Sequence, residues 1–393
     1  MNWLSAHLGK IATVLSGTTP DSSNPKYWNG HHIWVTPTDL GKLQNHLITA
    51  STRMISDEGR LSCSLPLIPK DAVIMSSRAP IGHLAISGCN LYTNQGCKSF
   101  VCGETLDPWF LYFNLMYRMS EVQTLGSGAT FIEVSKSALE GFEISFPESI
   151  NEQRQIAARL KAQLAEVEIA LQAAQVKLSD TRLLRTRMLK ALFAELNAAP
   201  KKKLGDYAET TSGSTPSRGN KHYWQPAEIA WVKTGEVAFA PITATEEAIS
   251  KLALAECSLS LLPPQTILIA MYGQGKTRGQ SAILEISAST NQACFAILPN
   301  ETWEPDFLYL WLKSSYQDLR NLSADRGGNQ ANLNGALLKG LEVPAPGKTE
   351  QQRIVARIQA TMTEIDVLEN SSKAALEDIN RLPNPILAQA FEV

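Results

Sequence analysis

The sequence predicts an α+β protein made of two similar mixed α/β globules, each followed by a long helix, in a pseudo-twofold internal repeat. Three observations lead to this fold class. The chain has 393 residues, which is enough for two or three domains. Motifs of its first half recur in the same order in its second half. Each half also contains a run without Gly or Pro whose apolar residues have coiled-coil spacing.

Composition and charge place the chain among folded proteins. Apolar residues make up 44% of the sequence and charged residues 19%, which excludes a disordered or collagen-like chain. Lys and Arg number 36 against 38 Asp and Glu, so the net charge is −2. A near-neutral chain does not attract polyanions as a whole, and any contact with nucleic acid must be local.

The cysteines and the hydropathy of the chain bear on its compartment. None of the six cysteines forms a C-x-x-C pair or has a His at zinc-ligand spacing, so free thiols are expected. The first residues include no apolar signal segment, and no run approaches the ~18 apolar residues of a membrane helix. We therefore expect a cytoplasmic protein without a membrane partner.

The internal repeat has an offset of about 197 residues. Its matched pairs are 16–20 with 212–216, Tyr27-Trp28 with Tyr223-Trp224, Trp34-Val35 with Trp231-Val232, Thr93-Asn94-Gln95 with Thr290-Asn291-Gln292, and Glu152-Gln153 with Glu350-Gln351. So many matches in one order at nearly one offset are hard to obtain by chance. The repeat divides the chain into a first globule, a central helix, a second globule and a C-terminal helix, which we place at 1–148, 149–200, 201–346 and 347–393.

Each globule mixes short β-rich runs with turns rich in Gly, Pro and Ser. A single helix is expected to begin near Asp107-Pro108 in the first globule and near Glu304-Pro305 in the second. At both places an acidic residue and a Pro precede apolar residues at helical spacing.

The long helices are predicted from apolar seams. In the central helix the seam is Ile156, Leu160, Leu164, Val167, Leu171, Ala174 and Leu178. In the C-terminal helix it is Ile354, Ile358, Ile365, Leu368 and Ile379, before Pro383 and Pro385 interrupt the pattern. The simplest partner for each seam is the other helix.

Charge favours that pairing. Segment 151–203 has eleven basic and five acidic residues, whereas segment 349–393 has four basic and seven acidic residues. The two helices therefore carry opposite net charge. The alternative is that the charged residues of both helices face solvent and do not pair, and that their net charges differ by coincidence.

Known catalytic motifs are incomplete in this sequence. Segment 273–277 resembles the end of a phosphate-binding P-loop, but Ala270 stands where the first Gly is required. Segment 107–110 resembles the adenine-binding motif of amino-methyltransferases, but Trp109 replaces its second Pro. No carboxylate precedes a Lys at the spacing of metal nucleases, and the histidines form no H-E-x-x-H or comparable set. We expect no catalytic residue, no metal and no cofactor.

Two loops that follow predicted strands are candidate binding elements. The run 271–279 carries two cations, an amide, a phenol and three glycines without an acid, and 75–82 occupies the same place in the first half. Arg pairs with guanine and Gln with adenine, while Lys mainly meets phosphate. The alternative for each loop is a tight surface turn with incidental charges. The candidate DNA-binding residues of both halves are Ser76, Ser77, Arg78, Lys98, Lys221, Tyr223, Tyr272, Gln274, Lys276, Arg278, Arg326 and Asn329.

These motifs together resemble the specificity subunit of type I restriction-modification systems, over essentially the whole chain. The resemblance rests on S-G-x-T-P at 16–20 and 212–216, the strand motifs that begin at Pro69 and Pro264, the Asn-Gln pairs and the Glu-Gln-x-x-Ile helix starts. It implies two target-recognition domains that each read one half of a bipartite double-stranded DNA site. It also implies an antiparallel coiled coil that sets the spacer, two separate modification (methyltransferase) subunits, and two restriction subunits where the complex also cleaves.

Two other functions stay open at the level of sequence. The first is a non-catalytic scaffold whose two domains bind copies of a protein partner, which the near-neutral charge favours. The second is an enzyme with an unrecognised site. The salt dependence of DNA binding tests the first alternative, because neutralised phosphates give a steep salt slope. Incubation of the isolated chain with DNA and S-adenosylmethionine tests the second.

Overall fold

The computed structural model divides the chain into two compact units. Unit 1 comprises Met1–Gln175 and Ala375–Val393, and unit 2 comprises Val176–Ala374. Each unit contains one predicted globule together with parts of both predicted long helices. The residues that the structure describes are 2–78, 80–127, 132–273, 275–324 and 332–392.

The described part of unit 1 has ten strands in three sheets. They are β1 (Trp3–His7), β2 (Ala12–Ser16), β3 (Trp28–Val35), β4 (Leu47–Ile48), β5 (Arg53–Ile55), β6 (Val73–Ser76), β7 (Leu84–Ser87), β8 (Tyr92–Thr93), β9 (Cys97–Cys102) and β10 (Glu143–Pro147). The strand orders are β2-β9-β6-β7-β4, β5-β3-β8 and β1-β10. Pairing is antiparallel except for β4 with β7 and β3 with β8.

The helices that begin in unit 1 are mostly short. They are α1 (Leu8–Ile11), α2 (Pro37–Gly41), α3 (Asp57–Leu61), α4 (Pro108–Tyr117), α5 (Met119–Thr124), α6 (Lys136–Glu140) and the long α7 (Ile150–Ala194). The Asp107 carboxylate caps α4 by accepting the N–H groups of Trp109 and Phe110 at 3.0 and 3.1 Å. The predicted helix start at Asp107-Pro108 is confirmed.

Unit 2 repeats this arrangement in the residues that the structure describes. Its strands are β11 (Lys201–Lys203), β12 (Thr210–Ser212), β13 (Ile229–Val232), β14 (Glu247–Ile249), β15 (Ile267–Ala270), β16 (Ser281–Ile283), β17 (Ser289–Thr290), β18 (Cys294–Ile297) and β19 (Glu342–Pro344). The orders β12-β18-β15-β16, β14-β13-β17 and β11-β19 match those of unit 1 without β4. A single parallel bridge between Ile242 and Leu284 stands where β4 pairs with β7. The internal repeat is thus a repeat of topology.

The helices of unit 2 are α8 (Leu204–Tyr207), α9 (Lys251–Glu256), α10 (Pro305–Ser314), α11 (Tyr316–Ala324), α12 (Gly335–Lys339) and the long α13 (Lys348–Arg381). The start of α10 confirms the helix predicted at Glu304-Pro305. In the described part of the chain, no helix combines the length and apolar composition that crossing a membrane requires.

The last helix, α14 (Pro383–Phe391), belongs to unit 1. It begins after α13 ends at Arg381, so the predicted interruption by prolines is confirmed. Leu387 and Ala390 are buried in the largest core of unit 1, and the rings of Phe391 and Phe110 lie 5.4 Å apart. This core is therefore made from both ends of the described chain.

A buried glutamine explains the Glu-Gln-x-x-Ile motif. In unit 1 the Gln153 side chain accepts the Asp107 N–H at 2.8 Å and donates to the carbonyls of Thr105 and Pro147. In unit 2 Gln351 makes the same three bonds, accepting from Glu304 N–H and donating to two carbonyls. Each long helix is thus fastened at its first turn to the loop before α4 or α10, and this satisfies buried backbone groups.

Close packing explains the glycine of the S-G-x-T-P motif. A Cβ at Gly17 would lie 2.1 Å from the Asn94 carbonyl oxygen, and a Cβ at Gly213 would lie 1.7 Å from the Thr290 carbonyl oxygen. Only glycine permits this approach. It brings the segment after β2 or β12 against the Asn-Gln pair of the same unit.

In unit 2 the two long helices form an antiparallel coiled coil. Arg182 pairs with Glu369 at 3.2 Å, and Arg357 pairs with Glu195 at 2.6 Å, so the residue numbers rise along one helix as they fall along the other. Arg185 pairs with Asp366 between these two contacts. Two of these ion pairs join α7 to α13, and the third joins α13 to Glu195 in the 3₁₀ turn that directly follows α7. This confirms that the charges predicted to be complementary do meet.

Of the twelve residues predicted for the two apolar seams, six are buried, five are half-buried and one is exposed. Ile156 and Leu160 of α7 are buried in the core of unit 1, and Ile358 and Ile365 of α13 are buried in unit 2. Leu368 is 49% exposed, so its placement in the seam was wrong. The next residue, Glu369, has a side chain that is only 14% exposed and pairs with Arg182 of the other helix.

Candidate nucleic-acid interface

The loop between β15 and β16 of unit 2 is shaped by glycines. Gly273, Gly275 and Gly279 have φ values of 134°, 72° and 85°, a region that side-chain-bearing residues rarely adopt. Tyr316 Oη on α11 donates to the Lys276 carbonyl oxygen at 2.6 Å, and Arg320 Nη1 donates to the Arg278 carbonyl oxygen at 3.1 Å. The backbone of the loop is therefore held by α11, while its own side chains are left for other contacts.

Three predicted residues of this loop lie together on the described surface. Lys276 is exposed, and no hydrogen bond or ion pair joins its ammonium group to the other described residues. Tyr272 is 41% exposed. Arg278 is half-buried, and its Nε has no hydrogen-bond partner among the residues the structure describes. A cation and a phenol that form no ion pair with a described carboxylate are suited to contact phosphate and base edges. Gln274, Arg326 and Asn329 lie outside the described residues.

The other two predicted residues of unit 2 lie on a 3₁₀ turn at Lys221–Tyr223. Lys221 is exposed. Tyr223 Oη donates to Glu256 Oε2 at 3.0 Å, and this hydrogen bond raises the pKa of the phenol. Tyr223 is thus engaged with a carboxylate of its own unit, whereas Lys221 is available to solvent.

In unit 1 the predicted residue Ser76 builds the loop between β6 and β7. It is buried, its Oγ donates to the Pro80 carbonyl oxygen at 2.7 Å, and it accepts the N–H groups of Gly82 and His83. These bonds close the turn much as a backbone group would. The position of Ser76 in this structure is that of a turn-forming residue.

Ser77, Arg78 and Lys98 are brought together around a residue that the sequence did not indicate, Glu133. Lys98 Nζ lies 2.9 Å from Glu133 Oε1, and Arg78 Nη1 lies 3.9 Å from Glu133 Oε2. Ser77 Oγ is 3.3 Å from Lys98 Nζ and 3.4 Å from Glu133 Oε1. The cations of this loop are therefore partly neutralised inside unit 1. Glu133 follows no recognisable motif, and only the fold places it here.

A threonine–glutamine pair recurs in both units. Thr215 Oγ1 donates to Gln292 Oε1 at 2.6 Å, and Thr19 donates in the same way to Gln95. Both glutamines are exposed. The bond orients each amide so that its NH₂ group faces away from the threonine. Sequence comparison of the halves marked these residues as shared, but it did not indicate that each motif delivers an oriented amide donor to the surface.

The chemistry of the thiols also bears on the site. Burial raises the pKa of Cys97 and of Cys294 to about 12. These two thiols, which occupy equivalent positions in β9 and β18, stay protonated at neutral pH and are poor nucleophiles. These two thiols are therefore not candidate nucleophiles. The groups that the β6–β7 and β15–β16 loops present, among the described residues, are hydrogen-bonding and cationic, and such groups are suited to binding.

Comparisons with known proteins agree with this arrangement. The family described as "Type I restriction modification DNA specificity domain" matches residues 1–176 and 199–378. The type I restriction enzyme MjaIX specificity subunit of Methanocaldococcus jannaschii is 28% identical over 291 residues, which cover 70% of this chain and 67% of that relative.

Two solved structures share the fold. A chain from a study of complex assembly and conformational transition of the type I R-M system has a TM-score of 0.73 at 17% identity, with 99% of this chain and 97% of that chain covered. The HsdS subunit from Thermoanaerobacter tengcongensis has a TM-score of 0.63 at 17% identity, with 99% and 96% covered. Because the family matches one region in each half and together these regions span most of the sequence, the chain belongs to the type I restriction modification DNA specificity family.

Proposed function

We propose that this protein is the DNA specificity subunit of a type I restriction-modification complex. The observation that carries the proposal is the duplication of one family domain along the chain, with the same sheet topology in both units. Two copies of a reading domain suit a bipartite double-stranded DNA site, one half for each copy. The coiled coil of the long helices then sets the length of the unread spacer.

The β15–β16 loop is proposed as the reading element of unit 2. The Lys276 side chain is exposed, and α11 holds the backbone of the loop through the Tyr316 hydrogen bond to the Lys276 carbonyl oxygen. A pre-ordered loop loses little conformational freedom on binding. In unit 1 the matching loop carries Arg78, and Glu133 beside it lowers the local positive charge. We therefore expect unit 2 to make the stronger phosphate contacts and unit 1 to depend more on hydrogen bonds.

The chemistry of the complex is proposed to lie in other subunits. Two modification subunits would transfer the methyl group, and restriction subunits would cut where the complex also cleaves, in the cytoplasm. The chain itself would act without catalysis or cofactor, because its P-loop-like and methyltransferase-like segments each lack a required residue.

The test is co-expression of the chain with its modification subunit, followed by mapping of methylated adenines in the host DNA. We expect one bipartite motif with a fixed gap, and no methylation by either protein alone. Methyl transfer by the isolated chain would show that it is catalytic. DNA binding whose affinity is unchanged across salt concentrations would favour a protein-binding scaffold instead.

A further inference from the structure

Two consecutive histidines and an aspartate converge on the surface of unit 1. His32 Nε2 lies 2.9 Å from Asp57 Oδ1, and His31 Nε2 lies 3.9 Å from Asp57 Oδ2. One ligand atom from each of the three side chains lies within 4.8 Å of the others. Sequence spacing could not reveal the cluster, because Asp57 begins α3 whereas the histidines lie in β3.

The strand must be irregular for both imidazoles to reach one carboxylate. Consecutive residues of a regular strand point to opposite faces of the sheet. Here the pairing of β3 with β5 shifts between Trp28 and His32, so that both residues face Ile55. The shift coincides with Asn29, whose φ is 60°, and with Gly30, where a Cβ would lie 2.3 Å from the Ser56 Cα. The two histidine rings lie 4.1 Å apart as a result.

We propose that His31, His32 and Asp57 form a binding site for a divalent transition-metal ion of the Zn²⁺ class. Two imidazole nitrogens and one carboxylate oxygen are ligands that this class prefers, whereas Mg²⁺ and Ca²⁺ prefer oxygen. Tetrahedral coordination at about 2.0–2.1 Å needs ligand atoms about 3.3 Å apart. The separations of 2.9 Å to Asp57 Oδ1 and 3.9 Å to Asp57 Oδ2 lie on either side of that value, and all three ligand atoms lie within 4.8 Å of one another. Rotation of the exposed side chains would have to bring them to the coordination distance.

The surroundings of the cluster set limits on the site. Asp57 is 63% exposed and His31 is 71% exposed, which leaves a coordination position open to solvent. A cation also lies beside the cluster, since Arg60 Nε is 3.9 Å from Asp57 Oδ1. The positive charge of Arg60 weakens the binding of any metal ion at this site. The effect matters most for ions that the site would hold only weakly, such as Mg²⁺ and Ca²⁺.

The repeat supplies an internal comparison. In unit 2 the register of β13 with β14 places Glu228 at the position of His31, and Lys251 begins α9 as Asp57 begins α3. Lys251 Nζ lies 3.0 Å from Glu228 Oε1. The same strand-to-helix contact is thus an ion pair in unit 2 that needs no metal. The potential ligand set is a property of unit 1 and is not needed to build this part of the fold.

The experiment uses the full chain, without a polyhistidine tag, in a calorimetric titration with ZnCl₂ and a parallel titration with MgCl₂. We expect one Zn²⁺ site and no heat from Mg²⁺ at the same concentrations. His31→Ala should weaken Zn²⁺ binding at least about tenfold, since even outer hydrogen-bond partners of metal ligands contribute about 10–100-fold. The double variant His31→Glu/Asp57→Lys, which copies the ion pair of unit 2, should lose the site while keeping the thermal unfolding midpoint of the wild type.

His222→Ala is the matched control, because His222 is an exposed histidine of unit 2, and it should bind Zn²⁺ as the wild type does. Co²⁺ substitution identifies the ligands, since a bound thiolate gives a near-ultraviolet charge-transfer band and nitrogen or oxygen ligands do not. The proposal is overturned if the wild type binds no Zn²⁺, or if His31→Ala binds it unchanged. A thiolate band, or an equal loss in His222→Ala, would likewise place any bound metal elsewhere.

Discussion

The Lys98 ammonium and the Glu133 carboxylate, 35 residues apart in sequence, meet at 2.9 Å beneath the β6–β7 loop of unit 1. The Lys98 side chain is only 6% exposed. A buried ammonium depends on its partners, because its charge is costly to remove from water. Glu133 therefore both steadies the loop and offsets the charge of a candidate DNA-binding residue.

Glu133→Gln is expected to destabilise the protein by about 1–3 kcal/mol, because it leaves a buried cation without its counter-charge. The free energy of unfolding in urea measures this. The double variant Lys98→Met/Glu133→Gln should recover much of the loss, since it removes the buried charge altogether. Equal destabilisation of the single and double variants would show that the ion pair is not the source of the effect.

Gln153→Ala and Gln351→Ala should each destabilise the unit that contains the residue by about 2–4 kcal/mol. Each substitution removes an amide that accepts a hydrogen bond from one backbone N–H and donates to two backbone carbonyl groups. These buried backbone groups are then left without hydrogen-bond partners, which destabilises the folded state. Urea unfolding measures the change. Gln352→Ala is the matched control, because Gln352 is the exposed neighbour of Gln351. A control variant as unstable as Gln351→Ala would contradict the assignment.

Local patterns predicted much of the fold because they depend on nearby residues. The caps and prolines at Asp107-Pro108 and Glu304-Pro305 predicted two helix starts, and the apolar spacing predicted α7. The role of Gln153 was not predictable, because its three partners come together only in the folded unit. The prediction that Leu368 belongs to the apolar seam was wrong for a similar reason. Spacing alone does not show that Glu369, which pairs with Arg182, is the less exposed residue at this point of the helix.

The candidate site was predicted less completely than the fold. Both loops were recognised from their residues, but which side chains are free depends on long-range contacts. Ser76 closes a turn and Lys98 pairs with Glu133, whereas Lys276 is exposed. The sequence alone treated these residues alike. Whether any of them contacts DNA stays a prediction.

Arg278→Ala and Lys276→Ala should have different effects on the affinity and sequence preference of DNA binding. If Arg278 reaches a base edge, its loss should cost about 1–3 kcal/mol and relax one position of the second half-site, whereas loss of Lys276 should weaken binding evenly across sequences and reduce the salt slope by about one. Binding titrations across salt with the assembled complex measure both. Lys42→Ala, an exposed lysine of unit 1, is the control. Unchanged affinity and motif in both loop variants would remove this loop from the interface.

Shortening α7 by one heptad, residues 165–171, is expected to reset the recognised gap. It removes about 10 Å of helix and keeps the apolar seam in phase. Both half-sites should persist while the unread gap shortens by up to about three base pairs, less what DNA bending absorbs. Mapping of methylated adenines reads this out.

A four-residue deletion in the same helix is the control for the heptad deletion. It rotates the seam and should impair assembly rather than change the gap. An active complex with an unaltered gap after the heptad deletion would show that α7 does not set the spacing.

The position of α14 in the core of unit 1 has a consequence for synthesis on the ribosome. Unit 2 is continuous from Val176 to Ala374, whereas unit 1 needs Leu387 and Ala390 to fill its core. Domains ordinarily close in the order in which they are translated. Here the first globule to emerge from the ribosome keeps an apolar face exposed until residues 375–392 have been synthesised. The second globule can therefore finish folding before the first.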